Sequence, residues 1–310
     1  MPTFRRATDA DFAEIIAVIN AQTGGSTAVE QYTEMVRNRP AGRESERFVA
    51  YLPDGRFAGY AYVGIEDETE RNFSATVRVD EPCRRQGVGT GLLRLASDWA
   101  RARGAARLEA TLDEKQAEAL TWAVHRGFVT EGLVTRAVLK LAGWEPDPFV
   151  SSVVAAEAEG IRFTTLAEVG VTEENLRRFY DTCKALEGDV PGRAPKFAPY
   201  DLWRRQIETD PAWDPACILL ALDGDAWAAI SFFEKQTDGS WYTHLTGVHP
   251  AHRGRGLGMA VKVAAVQLAH ECGVPYISTY NHIINAPMVA INRQLGYQAT
   301  ETLVQMHLPL

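Results

Sequence analysis

The 310-residue sequence lacks most of the features that mark disulfide, metal, membrane or nucleic-acid proteins. Its four cysteines, Cys83, Cys183, Cys217 and Cys272, stand far apart with no C-x-x-C pair. They read as free thiols in a reducing cytoplasm and not as a disulfide framework or a metal site. His249 and His252 lie close together, but two ligands without a third make no metal centre, and none is expected. No apolar run approaches the roughly 18 residues of a spanning helix, and the start, "MPTFRRATDADF", has no signal-peptide core. A soluble, cytoplasmic protein is expected, with no membrane partner. Positive charge is also short: 32 Lys and Arg against 40 Asp and Glu give a net charge of −8. Broad affinity for nucleic acid or an anionic membrane needs the opposite balance.

What the chain does have is repetition. Its length suits two domains. The stretches "VDEPCRRQGVGTGLL" from Val79 and "VHPAHRGRGLGMAVK" from Val248 align at an offset of 169 residues. The same offset carries Gly127 of "HRGF" onto Gly296 of "QLGY". Self-similarity over so long a period indicates a duplicated structural unit. In each half the pattern reads strand, helix, hairpin, strand, glycine-rich turn, helix, strand, helix, strand. The halves are placed at 1–145 and 161–310, with 146–160 as a linker. The second half gains about a dozen residues before its hairpin, in the stretch "ALEGDVPGRAPKFAPYDLWRRQIETDPAWDP".

At a helix start several backbone N–H groups lack partners and the helix dipole is positive, so glycines there let an anion approach the backbone closely. A Rossmann site would place its glycines directly after the strand with an acidic residue about 20 positions on, and a P-loop would need GK[ST]. Neither fits: residue 276 is tyrosine and no GK[ST] occurs. The motifs Arg84-x-x-Gly87-x-Gly89 and Arg253-x-x-Gly256-x-Gly258 instead resemble the coenzyme A pyrophosphate motif of the GNAT superfamily of N-acetyltransferases. The later helices ending in "GF" and "GY" look like that family's second motif. The resemblance implies an α/β (α+β) fold of two tandem domains, similar in organisation to mycothiol synthases. Each would be a mixed, mostly antiparallel sheet flanked by helices, with the strand before the glycines splayed from its neighbour.

The resemblance further implies an enzyme using acetyl-CoA, with the cofactor held by Val248, Arg253, Gly254, Arg255, Gly256, Leu257, Gly258, Met259 and Asn285. Arg84, Arg85, Gln86, Gly87, Val88, Gly89 and Thr90 would form the matching cradle in the first half. At the 169-residue offset Tyr242, His244, Thr246 and Val248 share one strand face and answer Phe73, Ala75, Val77 and Val79. Asn281, Asn285 and Asn292 answer Leu112, Gln116 and Ala123. Polar groups in the second half thus face apolar ones in the first, which makes the C-terminal half the expected catalytic one. The other strand face leaves the opposite assignment open. His244 is the candidate base, since an imidazole accepts a proton near neutral pH, with Tyr242 assisting or packing. Asn292 stands where many family members carry a tyrosine acid, and asparagine cannot protonate a thiolate. Glu187 and Asp189 are candidate attractors of a cationic acceptor. The expected acceptor is a small-molecule primary amine, such as an amino-sugar thiol precursor or an aminoglycoside. A protein N-terminus or lysine, and a coenzyme-binding module without turnover, are the alternatives.

Overall fold

The structure is a computed structural model that describes residues 1–39, 43–67, 72–188, 198–210 and 212–310. It divides into two compact units, one of Met1–Glu131 with Gln305–Leu310 and one of Gly132–Val304.

Unit 1 opens with β1 (Thr3–Arg6), α1 (Phe12–Thr23) and α2 (Val29–Arg37), followed by β2 (Ser45–Tyr51), β3 (Phe57–Asp67) and β4 (Asn72–Val79). After the first glycine stretch come α3 (Val88–Arg101), β5 (Arg107–Asp113) and α4 (Ala117–Val124). The strand order is β1-β2-β3-β4-β5, antiparallel except for the parallel β4–β5 pair. One face is covered by Phe12, Ile15, Ile16 and Tyr32 of α1 and α2. The other carries α3, whose Leu92, Ala96 and Trp99 are buried, with Trp99 edge-on to Phe73.

Unit 2 begins within β6 (Val129–Lys140) and continues through α5 (Val150–Ala158), β7 (Ile161–Thr165), α6 (Leu166–Val169), α7 (Glu173–Glu187), α8 (Tyr200–Thr209), β8 (Ile218–Asp223), β9 (Ala226–Lys235) and β10 (Trp241–Val248). The second glycine stretch leads into α9 (Leu257–Glu271), β11 (Tyr276–His282), α10 (Ala286–Gln294) and β12 (Gln298–Pro309). Here the strand order is β12-β6-β11-β10-β9-β8-β7. One layer packs Leu219, Ala229, Phe233, Trp241 and Ile277 beneath α9. The opposite layer packs Ile218, Leu220, Phe232 and Leu245 beneath Leu176, Phe179 and Leu186 of α7.

The unit boundaries differ from the halves read in the sequence. β6 pairs antiparallel with β11 from Lys140–Tyr276 to Val134–His282, so from Gly132 onward it belongs to unit 2. The last six residues belong to unit 1, where the Leu310 N–H donates to Ala106 O at 3.0 Å. Nor is the stretch 146–160 a bare spacer. It contains α5, whose Ala156 is buried in the α9 layer, and Phe149, which stacks on buried Trp144. The extra residues before the second hairpin include α8, a further helix of unit 2.

Strand β10 departs from simple alternation. Thr243 lies opposite Phe233 but Leu245 lies opposite Phe232, leaving His244 as an inserted residue. This is a β-bulge, which turns two successive side chains to the same side and reverses the alternation beyond it. Trp241 therefore joins the α9 layer while Leu245 joins the α7 layer. Past the bulge Val248 packs on the α9 layer again, and a Cβ at Gly247 would strike Leu186 of α7. The four residues expected on one face are split: Val248, and by alternation Thr246, turn to the side opposite His244. The repeat offset shifts with the bulge. Phe73 pairs Leu108 where Trp241 pairs Ile277, so ahead of the bulge the offset is 168. Tyr242 then answers Ser74, Thr243 answers Ala75, and His244 has no counterpart.

Deleting Gln305–Leu310 removes buried Met306 and the bond to Ala106. Unit 1 should lose at least about 2 kcal/mol, the cost of emptying one such core position. Amide exchange in β5 should accelerate while that in β7–β9 stays as it was; equal protection of β5 in the truncated chain would contradict this.

Candidate active site

Both glycine stretches build the same local shape. Gly87 and Gly256 cap their helices with φ of 80° and 73°, a left-handed conformation open to glycine at low cost. A Cβ at Gly256 would meet nothing within 4 Å, so the space before the first turn of α9 is open. Two residues earlier Gly254 has φ 79°, and its counterpart Arg85 adopts the same left-handed turn at φ 62°. In α9 the Met259 N–H turns back to Gly256 O at 3.1 Å, so the N–H groups of Leu257 and Gly258 are the ones a helix start leaves without an intrahelical partner.

The basic side chains are distributed unevenly around these cradles. Arg253 stays at the rim, its Nε donating to Val248 O at 3.2 Å. Arg255 is drawn aside by Asp223 at 2.6 Å and Glu159 at 3.3 Å, with His252 beside it. Leu257 is core, and Met259 packs against that core. In unit 1, Arg84 and Arg85 lie 3.9 and 3.7 Å from Glu118, a carboxylate at the mouth of the cradle. Gln86 donates to Pro82 O, Val88 is buried, and Thr90 accepts from Arg126. A Cβ at Gly89 would press on Trp122 at 3.3 Å, where the matching Gly258 position has Ile291 at 3.5 Å. Asn285 caps α10, its Oδ1 accepting from the Met288 N–H at 3.4 Å.

Ahead of each cradle the parallel strands part. β10 and β11 pair only at Trp241–Ile277 and Tyr242–Ser278, and β4 and β5 only at Phe73–Leu108 and Ser74–Glu109. Beyond those pairs the backbone edges face a gap, and in unit 2 the bulged His244 stands beside it. His244 Nδ1 lies 2.7 Å from Glu234 Oε1 on β9, and the imidazole stacks on Phe232 at 4.7 Å between centroids. A carboxylate on Nδ1 directs the other ring nitrogen, Nε2, away from the strand. Glu234 was not singled out in the sequence. Its signal was the Asp238–Gly239 turn, which sets Glu234 opposite Tyr242.

Tyr242 leads from this dyad into a cavity of about 390 Å³. Its ring centroid is 6.4 Å from those of both His244 and Tyr280. Tyr276 and the charged residues Asp238, Glu301 and Arg136 line it, with Gln236, Thr237, Ser240 and Ser278 between them. Hydrogen bonds from Ser240 and Tyr276 hold Asp238 down to about 2, so it is anionic. Glu301 accepts from Tyr280 at 2.7 Å and stands 4.0 Å from Arg136, while burial and that carboxylate push the Tyr280 hydroxyl up to about 12. Two carboxylates against one guanidinium leave the cavity negative.

Asn292 is buried and neither of its side-chain polar atoms has a partner. Lys262, unmarked in the sequence, is fully buried with Nζ 3.3 Å from Thr243 Oγ1. Glu187 is not a loop acid; it is the buried last residue of α7. Asp189 lies outside the described residues. Among those described, no helix is long and apolar enough to cross a membrane, and no three His, Cys, Asp or Glu side chains converge as a metal site.

Parted parallel strands feeding an amide-lined helix start, twice in one chain, define an acyl-CoA-dependent transferase fold in tandem. The profile of the acetyltransferase (GNAT) family matches residues 14–141 and 176–297, and the chain belongs to that family. It is an N-acetyltransferase with acetyl-CoA as donor. The mycothiol acetyltransferase of Actinosynnema mirum is 27% identical over 308 residues, 98% of each chain. That of Thermomonospora curvata is 27% identical over 291 residues, 94% of this chain and 91% of the relative. Among solved structures, a GCN5-related N-acetyltransferase from Sphaerobacter thermophilus superposes with a TM-score of 0.74 at 19% identity, covering 99% of this chain and 95% of that one. A tandem GNAT protein from the clavulanic acid biosynthesis pathway gives 0.69 at 20% identity, covering 100% and 98%.

The buried lysine carries a stability signature. Desolvation lowers its ammonium from 10.5 to about 7. Between those values the unfolded chain holds a proton that the folded chain has released, so stability rises with pH through this window. The gain is on the order of 4 to 5 kcal/mol at about 1.4 kcal/mol per unit. Denaturant titrations of wild type and Lys262→Met at pH 7, 8 and 9 should show a rising difference slope that the variant lacks; parallel pH dependence would contradict this.

Proposed function

We propose that the C-terminal half, roughly residues 161–310 with β6 beside β11, is the catalytic domain and acetylates the primary amine of a small molecule. In this reading the N-terminal half, roughly 1–145, has no turnover. The observation that carries it is the Glu234–His244 dyad, seated on a bulge in β10 where the matching stretch of β4, Phe73–Val79, pairs without interruption.

Acetyl-CoA supplies an acetyl group already activated as a thioester. Gly254, Gly256 and Gly258, with the first-turn amides of α9 and with Arg253 at the rim, fit the diphosphate. Val248 and the freed edge of β10 line the path toward the bulge, and Asn285 is free to contact the coenzyme only through what its cap leaves over. The negative cavity attracts the acceptor as its ammonium, and the rings of Tyr242, Tyr276 and Tyr280 offer faces to a cation or a sugar. His244, held at Nδ1 by Glu234, takes a proton at Nε2 so that the nitrogen attacks as a neutral amine. Asn292 donates no proton, so the thiolate leaves as an anion, consistent with the moderate acidity of thiols. A small acceptor is supported by relatives named for mycothiol. The free exposed thiol of Cys272 supports a reducing, cytoplasmic setting.

In an assay of acetyl-CoA consumption with a panel of amino sugars, aminoglycosides and peptide amines, His244→Ala should lower kcat at least about 100-fold. Coenzyme affinity should stay within twofold. Glu234→Gln should lower kcat about tenfold. Unchanged turnover in His244→Ala at every pH removes this base. Gly256→Glu should weaken coenzyme binding at least tenfold by calorimetry, measured in a chain whose first cradle carries Gly87→Glu; wild-type affinity there would remove the cradle.

A further inference from the structure

The duplication supplies an internal control for the interior of unit 2. Lys262 on α9 donates to Thr243 Oγ1 at 3.3 Å and lies over the Tyr297 ring at 5.1 Å. Thr279 Oγ1 donates to Thr243 O at 3.5 Å. The Tyr297 hydroxyl is buried facing Thr243, and both polar atoms of Asn292 are buried without a partner among the described residues. At the equivalent positions unit 1 carries Leu93 for Lys262, Ala75 for Thr243, Ala110 for Thr279, Phe128 for Tyr297 and Ala123 for Asn292. Five polar side chains answer five apolar ones. Of the five in unit 1, Leu93, Ala75, Phe128 and Ala123 are buried like their partners. The fold is therefore completed without any polar group at these places.

Retaining them is expensive. A buried amine with a single partner and a buried amide with none each forfeit hydrogen bonds that water would supply. They gather at one place, behind the residue that precedes the bulge, where β10 and β11 cease to pair. Burial also removes most of the proton affinity of Lys262, yet the amine donates to Thr243 whether or not it is protonated.

We propose that Lys262 is a positioning residue for acetyl transfer. Through Thr243 it holds the β10 backbone and the bulged His244 in register with the gap, with Asn292 and Tyr297 as further hydrogen-bonding groups of the same cluster. The residue acts through Thr243 and not by touching the reacting atoms. The inference rests on unit 2 being the catalytic half. Lys262→Met keeps the aliphatic length while removing the donor, and Thr243→Val keeps the shape while removing the acceptor. A purely structural pair would show itself in stability alone.

The test measures kcat, KM for acetyl-CoA and melting midpoint for wild type, Lys262→Met, Thr243→Val and the double variant. Turnover of wild type and its loss in His244→Ala in the same assay decide the preceding reading on their own, and the variants then decide the cluster. The expected result is a fall in kcat of at least tenfold in each single variant. KM for acetyl-CoA should stay within about twofold, with a melting midpoint equal to or above wild type. The double variant should lose no more than about twice what either single variant loses, since the two side chains act as a unit. Lys262→Met with kcat within twofold of wild type overturns the proposal, as does a lost midpoint with undiminished kcat in the folded fraction. Should Lys262→Met fail to fold, Thr243→Val decides by the same two criteria.

Discussion

Hydrogen bonding between β10 and β11 stops after two residue pairs, and the chemistry proposed for unit 2 depends on that interruption. Backbone N–H and C=O groups in a protein interior need partners. A sheet that parts must present the freed edges to water or to a ligand with its own donors and acceptors. The gap opens toward the first turn of α9, where further N–H groups are unpaired for a different reason, the geometry of a helix start. An elongated ligand with amides along its length and a phosphate further on therefore meets a continuous line of complementary groups. No side chain has to supply them, which is why the same cradle recurs in unit 1 with a quite different lining.

What unit 1 lacks is the inserted residue. Both units part their strands after two pairs, but only β10 carries a bulge opposite Phe232 and Phe233. The insertion puts an imidazole at the gap without displacing the core on either side, because Trp241 and Leu245 remain buried in their separate layers. In unit 1, Glu118 near Arg84 and Arg85 competes with any anion for the same guanidinium groups. Two copies of one frame thus differ at the two places where binding and chemistry would be tuned.

The frame was legible in the sequence because glycines with left-handed φ and strand–helix order leave strong marks, and Gly87, Gly256, Gly127 and Gly296 stay in register across the repeat. The bulge left no such mark. A period-two reading assumes unbroken alternation, so it placed His244 and Val248 on one face and matched His244 to Ala75 when the inserted residue has no match. The closing strands were read, but not their pairing, for a related reason: β6 reads as the end of the first repeat, and nothing local tells whether its partner comes from residues before or after it. Glu234 required the hairpin register, and Lys262 required knowing which face of α9 is covered, since lysine on a helix ordinarily signals the wet side.

The covered face of α9 is itself informative about that ordinary rule. Most side chains of this helix are apolar, and Val261, Val263, Ala265 and Val266 are buried on several sides of it. A helix hydrophobic around most of its circumference belongs inside, here between the sheet and α5. Such a setting raises the cost of any polar intruder, because no solvated edge is near enough for a long side chain to reach water. Lys262 turns its amine to Thr243, which links the helix that begins at Gly256 to the strand that carries His244. The glycine turn and the bulged histidine are thereby joined through one buried side chain.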